Sequence, residues 1–395
     1  MDQEKEKKAK ANEKPYTLKY SVQFERFDQK TNLAHGKLRK PSALPTRYNG
    51  EEGDHTEVVF HVKDSSEENE WCLTMMRNLH HRNILHARTV MAYTHPAKAR
   101  SGSVSNSNPT EEKLFAWVEP YSGFLIDYLK SIQLGSPDTF VGVTILLPTN
   151  DIRNIVRQIV DGIEHLRICG YYHGNFSLET TCYFRDEVSK ELTVKLANFK
   201  KDKSKTKPLS TLQNEDWHAV GHGLKRISEI AKELNDELGR ELFDCSQLDD
   251  LAKMMLQITP GNLETTYQDV LDHIFFWGKL KRKQFYVYRI PLALKDKAFT
   301  SKLEGCDDLC CFPWSVTGNF AGIIQKMDQY RKDKNKKGDY DKYSNVGLVK
   351  CTSGLYSHEF VLKEKVDGIV QRNHPQLCWK LYSMLPRPTP DKRWL

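Results

Sequence analysis

Apolar and polar positions follow two different rhythms along this chain. HTEVVFHVKD, residues 55 to 64, gathers β-branched and aromatic side chains into a short run that predicts a strand, and ENEWCLTMMRNL, residues 68 to 79, predicts the helix after it. KLFAWVEPY, residues 113 to 121, is a further apolar run, separated from the first by AKARSGSVSNSNPTEE (97 to 112), whose Ser, Asn and Pro content reads as a loop. From residue 151 the rhythm changes. DIRNIVRQIVDGIEHLRICG places Ile152, Ile155, Val156, Ile159, Ile163 and Leu166 at helical spacing, opened by Asn150 or Asp151 as a cap. Strand-rich sequence followed by helix-rich sequence is an α+β layout.

Near the other end, NVGLVKCTSGLYSHE (345 to 359) has apolar spacing that fits a helix but carries Ser353 and Gly354 in its middle. Glycine costs a helix interior roughly 1 kcal/mol relative to alanine. Either the helix ends there with Gly354 as its C-cap, or Gly354 and His358 share one face of a helix that once did chemistry. In the second case Ser353 and Gly354 belong near His358 on the exposed face, with Leu348, Val349 and either Leu355 or Tyr356 turned inward.

Composition bounds the class. With 395 residues, 39% hydrophobic and 10% aromatic, the chain can bury more than one core. MDQEKEKKAKANEK at the start is charged and lacks the apolar stretch of a signal peptide, so residues 1 to 16 are expected to be a solvated, disordered tail. No apolar run approaches the ~18 residues of a membrane span, so no membrane association is expected. Nine cysteines show neither a disulfide framework nor a zinc pattern; the one cluster, Cys306, Cys310 and Cys311, reads as buried free thiols. These features place the protein in the cytoplasm, with the nucleus as an alternative. The net charge of +7 is concentrated in KLKRK (279 to 283) and RKDKNKK (331 to 337), which either lie solvated on the surface or attract a phosphate backbone.

The order of motifs then carries a resemblance. A strand ending HVK, a helix, NIL, the 151 to 168 helix, YYHGNFSLETTCYF, VKLANF, EDWHAVG and VLDHIFFW follow one another as in a protein kinase domain, over about residues 17 to 277. The resemblance makes Lys63 the strand lysine that meets nucleotide phosphates, His173 the first residue of the catalytic-loop motif, and Asp216, Trp217 and Gly221 part of the large lobe's core helix. Phosphoryl transfer needs particular charges in particular places. Here the catalytic aspartate falls on Asn175, the loop lysine on Ser177, the magnesium-binding asparagine on Thr180, and the DFG aspartate on Asn198. No glycine-rich loop precedes Lys63, and its usual glutamate partner has no clean match, Glu70 being one position off and Trp71 or Cys72 nearer the place. Kinase activity is therefore expected to be absent. No cofactor is required, although ATP or ADP bound without magnesium fits the resemblance.

HIFFWGKLKRKQFYVYRI resembles the junction at which a kinase domain passes directly into a kinase-extension-nuclease (KEN) module, and NHPQLCWKLYSML, from Asn373, resembles that module's closing segment. This arrangement belongs to the kinase/endoribonuclease half of the unfolded-protein-response sensor and to ribonuclease L. The resemblance implies a bilobal kinase-like domain at 17 to 277 and a mostly α-helical KEN domain at 278 to 390. It implies metal-independent cleavage of RNA to a 2′,3′-cyclic phosphate, with a pseudokinase serving as dimerisation platform. Aligned on Leu348 and Val349, the catalytic tyrosine falls on Tyr340, the catalytic histidine on His358, and an Arg-Asn pair on Ser353 and Gly354. Histidine suits acid/base work because its pKa lies near 7. Loss of the Arg-Asn pair removes groups that would stabilise the phosphorane, with Lys350 or the 331 to 337 run, including Lys336 and Lys337, left as RNA-binding cations. Expected partners are RNA and a second copy or a related KEN protein. The alternative is a catalytically dead pseudoenzyme that binds RNA or regulates an active relative, and an active protein kinase ranks last.

Overall fold

The computed structural model describes residues 21–28, 33–39, 57–96, 110–119, 121–131, 135–140, 143–148, 150–186, 188–203, 206–238, 245–306, 309, 318–334, 340–362, 365–374 and 376–385. The chain divides into two compact units, Met1–Ser122 with Ala197–Lys203, and Gly123–Leu196 with Ser204–Leu395. Expectations for residues 1 to 16, for Cys310 and Cys311 and for Lys336 and Lys337 fall outside the described residues.

The first unit is an antiparallel sheet of β1 (Ser21–Asp28), β2 (Leu33–Arg39), β3 (Glu57–Asp64), β4 (Ala87–Pro96) and β5 (Thr110–Val118), in the order β1-β2-β3-β5-β4. The expected loop at 97 to 112 is therefore shorter than its composition suggested: Thr110, Glu111 and Glu112 pair with Pro96, His95 and Thr94 as strand. Backbone ladder bonds outweigh polar composition at a strand end. Helix α1 (Glu67–Asn78) is set by its charges and cap. Ser66 accepts from the Asn69 amide, Glu67, Glu68 and Glu70 occupy the first turn and Arg77 the last, all favourable to the helix dipole. Its buried face is Cys72, Leu73, Met75 and Met76.

In the second unit, β6 (Gly123–Phe124), α2 (Leu125–Ser131), the hairpin β7 (Gly135–Phe140) and β8 (Val143–Pro148), α3 (Asn150–Ile168), β9 (Cys182–Arg185), β10 (Leu192–Lys195) and the long α4 (Leu209–Leu238) come first. All six apolar positions expected on the inner face of α3 are at most 2% exposed. From the same helix Gln158 clips β10, donating to the Leu192 carbonyl at 2.9 Å and accepting from the Val194 amide at 2.8 Å. Helices α5 (Ser246–Leu256) and α6 (Leu263–Leu271) follow. Among the described residues no helix is long and apolar enough to cross a membrane.

The remainder is helical: α7 (Lys279–Gln284), a π turn (Phe285–Arg289), α8 (Ile290–Ala293), α9 (Lys297–Glu304), α10 (Gly318–Asp333), α11 (Asn345–Ser357), α12 (Glu359–Leu362), α13 (Val366–Asn373) and α14 (Leu377–Met384). One core runs from Ile274 and Trp277 to Leu377 and Leu381, so the tryptophan that ends the FFW stretch is built into it. Trp277 packs against Phe285 at 5.1 Å and Tyr382 at 5.3 Å between ring centroids. The basic run 279 to 283 is not a free cationic patch. Lys279 and Lys283 share Glu359, Lys281 binds Asp272, and Arg282 binds Asp367, so each of these cations has a carboxylate partner.

His374 closes α13 at 7% exposure, edge-on to Phe320. Burial alone holds its pKa down at about 4. Unfolded, the ring takes a proton near pH 6.5; folded, only near 4. Stability from keeping it neutral is thus present above pH 6.5 and lost as pH falls toward 4, by roughly 3 kcal/mol in all. Urea unfolding at pH 7 and pH 4.5 is expected to show a smaller acid loss for His374→Met than for wild type. Equal losses would mean the ring is not buried neutral.

Candidate functional site

The positions singled out by the kinase resemblance lie in both units. Lys63 lies on β3 opposite Leu114, and its Nζ meets the Cys72 Sγ at 3.5 Å. Of the partners weighed from sequence, Cys72 is the one that faces the lysine, while Glu70 is exposed. Burial pushes the Cys72 thiol above its ordinary value while the Lys63 charge draws it down. A neutral thiol cannot hold an ammonium as a carboxylate does. Asn198 takes a left-handed backbone at φ 59°, a conformation asparagine tolerates, ahead of a Phe199 that is 2% exposed. Beyond it, Lys201 and Lys203 pair with Glu67 and Glu68 of α1.

In the second unit Asp216 accepts from the backbone amides of His173 at 2.6 Å and Gly174 at 2.8 Å. Burial pushes its carboxyl up to about 7 against the pull of those two donors. The loop it anchors exposes Asn175, and Thr180 donates to the Asn175 and Ser177 carbonyls at 3.1 and 3.2 Å. Thr180 therefore ties the turn together. Asn175 offers an amide and Thr180 a hydroxyl, and neither is a carboxylate that could act as the base of phosphoryl transfer.

Helix α11 carries the other candidate. Ser344 caps it by accepting from the Gly347 amide at 3.0 Å, and Glu304 of α9 accepts from the Asn345 amide at 3.0 Å. Gly347 allows the preceding turn to lie across the helix: a Cβ there would sit 2.0 Å from the Asp341 carbonyl oxygen. That close approach brings Tyr340, just before the turn, back alongside α11. The helix runs on through Gly354 to Ser357, and His358 is its C-cap residue, donating its amide to the Gly354 and Leu355 carbonyls. Gly354 is thus an interior glycine and the C-cap alternative is set aside.

Gly354 has a packing reason to be glycine. A Cβ on it would lie 2.6 Å from the Tyr340 Oη and 2.8 Å from the Met327 Cε. The phenol occupies the space a side chain would take. Ser353, expected beside Gly354 on the exposed face, points the other way: it is 8% exposed and donates to the Tyr286 carbonyl at 2.8 Å. Successive helical residues are turned by about 100°, so Ser353 and Gly354 cannot both face outward once the core claims Ser353. Leu348 and Val349 are inward as expected, and so are both Leu355 and Tyr356, all at 0% exposure. Lys350, one turn before Gly354, is exposed.

Two adjacent residues of α10 meet the two candidate side chains. The Tyr330 ring centroid is 4.6 Å from that of His358, and the Arg331 guanidinium carbon is 4.6 Å from the Tyr340 ring centroid. Tyr340 and His358 therefore both lie against α10, Tyr340 beside Gly354 and His358 at the C-cap of α11. Burial raises the Tyr340 phenol above its ordinary value, with Arg331 opposing, so it is a neutral hydrogen-bond donor at pH 7. Arg331 belongs to the basic run 331 to 337, whereas Tyr330 carries no charge or motif to mark it. A signal was there: Phe320, Ile323, Ile324 and Met327 form an inward stripe whose next turn is 330 to 331.

No protein-family model matches the chain, and no curated protein matches it. Solved structures that resemble it include a crystal structure of Rad53 1-466 in complex with AMP-PNP, at 14% identity and TM-score 0.39, covering 65% of this chain and 65% of that one. A crystal structure of the Rad53 kinase domain and SCD2 is similar at 15% identity and TM-score 0.39, covering 66% of this chain and 88% of that one. The chain thus spans just under two thirds of the first structure's length.

Proposed function

We propose that this chain is a kinase-extension-nuclease-type protein whose kinase-like part has lost phosphoryl transfer and whose helical extension acts on RNA without a metal. The observation that carries the reading is that consecutive α10 residues meet Tyr340 and His358, the first beside Gly354 and the second at the C-cap four residues on. In this reading His358 gives a proton to the leaving 5′-oxygen, solvent water takes the proton of the attacking 2′-hydroxyl, and the neutral Tyr340 phenol donates to the phosphate. Lys350, exposed on the same helix, contacts the RNA backbone. Asn175, Thr180 and Asn198 make the kinase-like part a scaffold, suited to pairing with a second copy or a related chain.

A second reading, a pseudoenzyme that binds RNA or regulates an active relative, is favoured by one observation. Ser353 is committed to the core and Gly354 has no side chain, so α11 offers no cation for the transition state there. The two readings separate in one assay. Purified protein in EDTA is expected to cut a structured RNA and leave 2′,3′-cyclic phosphate ends, with His358→Ala reducing the rate by roughly 10²–10⁴-fold. Equal background for wild type and His358→Ala, with RNA binding retained, selects the pseudoenzyme.

A further inference from the structure

We infer that Arg331 supplies the positive charge at the phosphate that positions 353 and 354 no longer bring; this rests on the nuclease reading above. Cleavage by the 2′-hydroxyl breaks its O–H bond, forms a bond from the 2′-oxygen to phosphorus and breaks the bond from phosphorus to the 5′-oxygen. The 2′ proton passes to a base, and the 5′-oxygen takes a proton as it leaves. At the pentacoordinate stage the non-bridging oxygens carry extra negative charge, and fixed donors placed there give the largest share of such catalysis.

The contact between α10 and α11 offers few cations for this work. Lys350 and Lys342 are exposed, where water weakens their effect. Arg331 differs in three respects. It is half-buried, it belongs to a helix packed on α11, and its guanidinium lies over the ring of the tyrosine whose hydroxyl touches the Gly354 face. Stacking on an aromatic face fixes the plane of a guanidinium and aims its N–H groups past the ring edge. A planar fork with paired donors matches two phosphate oxygens, which a lysine ammonium does not. Asp328, three residues earlier on α10, sets its negative charge against Tyr340 and Cys351, while Arg331 opposes it at both groups. An arriving phosphate adds the negative charge that the guanidinium over Tyr340 is placed to meet. The positive charge lost from α11 has moved to the neighbouring helix.

The test uses the full chain and a labelled RNA hairpin in EDTA, comparing wild type, Arg331→Ala, Arg331→Lys and His358→Ala. Arg331→Ala is expected to lower kcat by roughly 10²–10³-fold with a much smaller change in KM, as for loss of a transition-state donor. Arg331→Lys falls between. Free guanidinium ion at a non-denaturing concentration is expected to restore part of the Arg331→Ala rate and none of the His358→Ala rate. If Arg331→Ala cleaves like wild type while His358→Ala does not cleave, the assignment of Arg331 is wrong and the nuclease reading stands. A slow Arg331→Ala that guanidinium does not rescue, or that melts early, makes Arg331 a packing residue and also overturns it. Wild type no faster than His358→Ala removes the nuclease reading, and Arg331's role with it.

Discussion

Asp367→Ala is expected to lower the stability of the second unit by about 3–5 kcal/mol, the range for breaking a buried pair from one side. Arg282 donates to both Asp367 oxygens, at 2.9 and 2.7 Å, and the Tyr356 hydroxyl donates to the same carboxylate at 2.6 Å. Both partners of the ion pair are little exposed, 12% and 10% at the side chain. Alanine would leave a guanidinium without its carboxylate beside Arg153, whose own charge is already disfavoured by burial and by Arg282. It would also strand the Tyr356 hydroxyl, whose ring stacks on Tyr286 at 4.7 Å. Thermal unfolding followed by near-ultraviolet circular dichroism should move down by on the order of 10 °C. The double change Arg282→Met, Asp367→Ala should recover much of that loss, because apolar packing can replace a buried pair when both charges leave. An Asp367→Ala protein that melts like wild type would show that the network is not buried as described.

The second large effect concerns the pair of residues that the KEN resemblance invites one to restore. From sequence alone, Ser353→Arg with Gly354→Asn should rebuild the missing donors and firm the helix by removing a glycine. The structure reverses both expectations. At position 353 the side chain enters the core toward the Tyr286 carbonyl, so an arginine there buries a charge where the fold seats a small hydroxyl. At position 354 a Cβ meets the Tyr340 hydroxyl at 2.6 Å and must displace it. The double variant is expected to lose at least about 3 kcal/mol of stability and to cleave RNA no faster than wild type. Comparing its urea midpoint and its cleavage rate in EDTA with those of wild type checks this. A double variant with an unchanged midpoint and faster cleavage would place Ser353 outward and revive the older picture.

Much of the secondary structure was legible because it is a local property. The stripe from Ile152 to Leu166 repeats at the helical period whatever surrounds it, and all of it is buried on α3. The strand before Lys63 and the helix after it were legible for the same reason, from β-branched residues in one and capped, charge-ordered turns in the other. Polar composition misled at 110 to 112, where ladder partners in β4 decide the conformation.

The sequence by itself determined which chemical groups are available. Asn175, Thr180 and Asn198 lack the acids of phosphoryl transfer in any arrangement, and Tyr340 and His358 have the right chemistry for proton transfer wherever they sit. Only the tertiary structure decided which groups meet. Helical spacing places Ser353 and Gly354 next to each other without saying which one the core will claim, and that depends on the Tyr286 carbonyl supplied by another turn of the chain. Likewise Arg331 read as one charge among several in a basic run until α10 packed on α11 and laid its guanidinium over Tyr340. The physical reason is range: backbone preference and periodicity act within a few residues, whereas burial and electrostatics depend on neighbours that only the packed fold brings within a few ångströms.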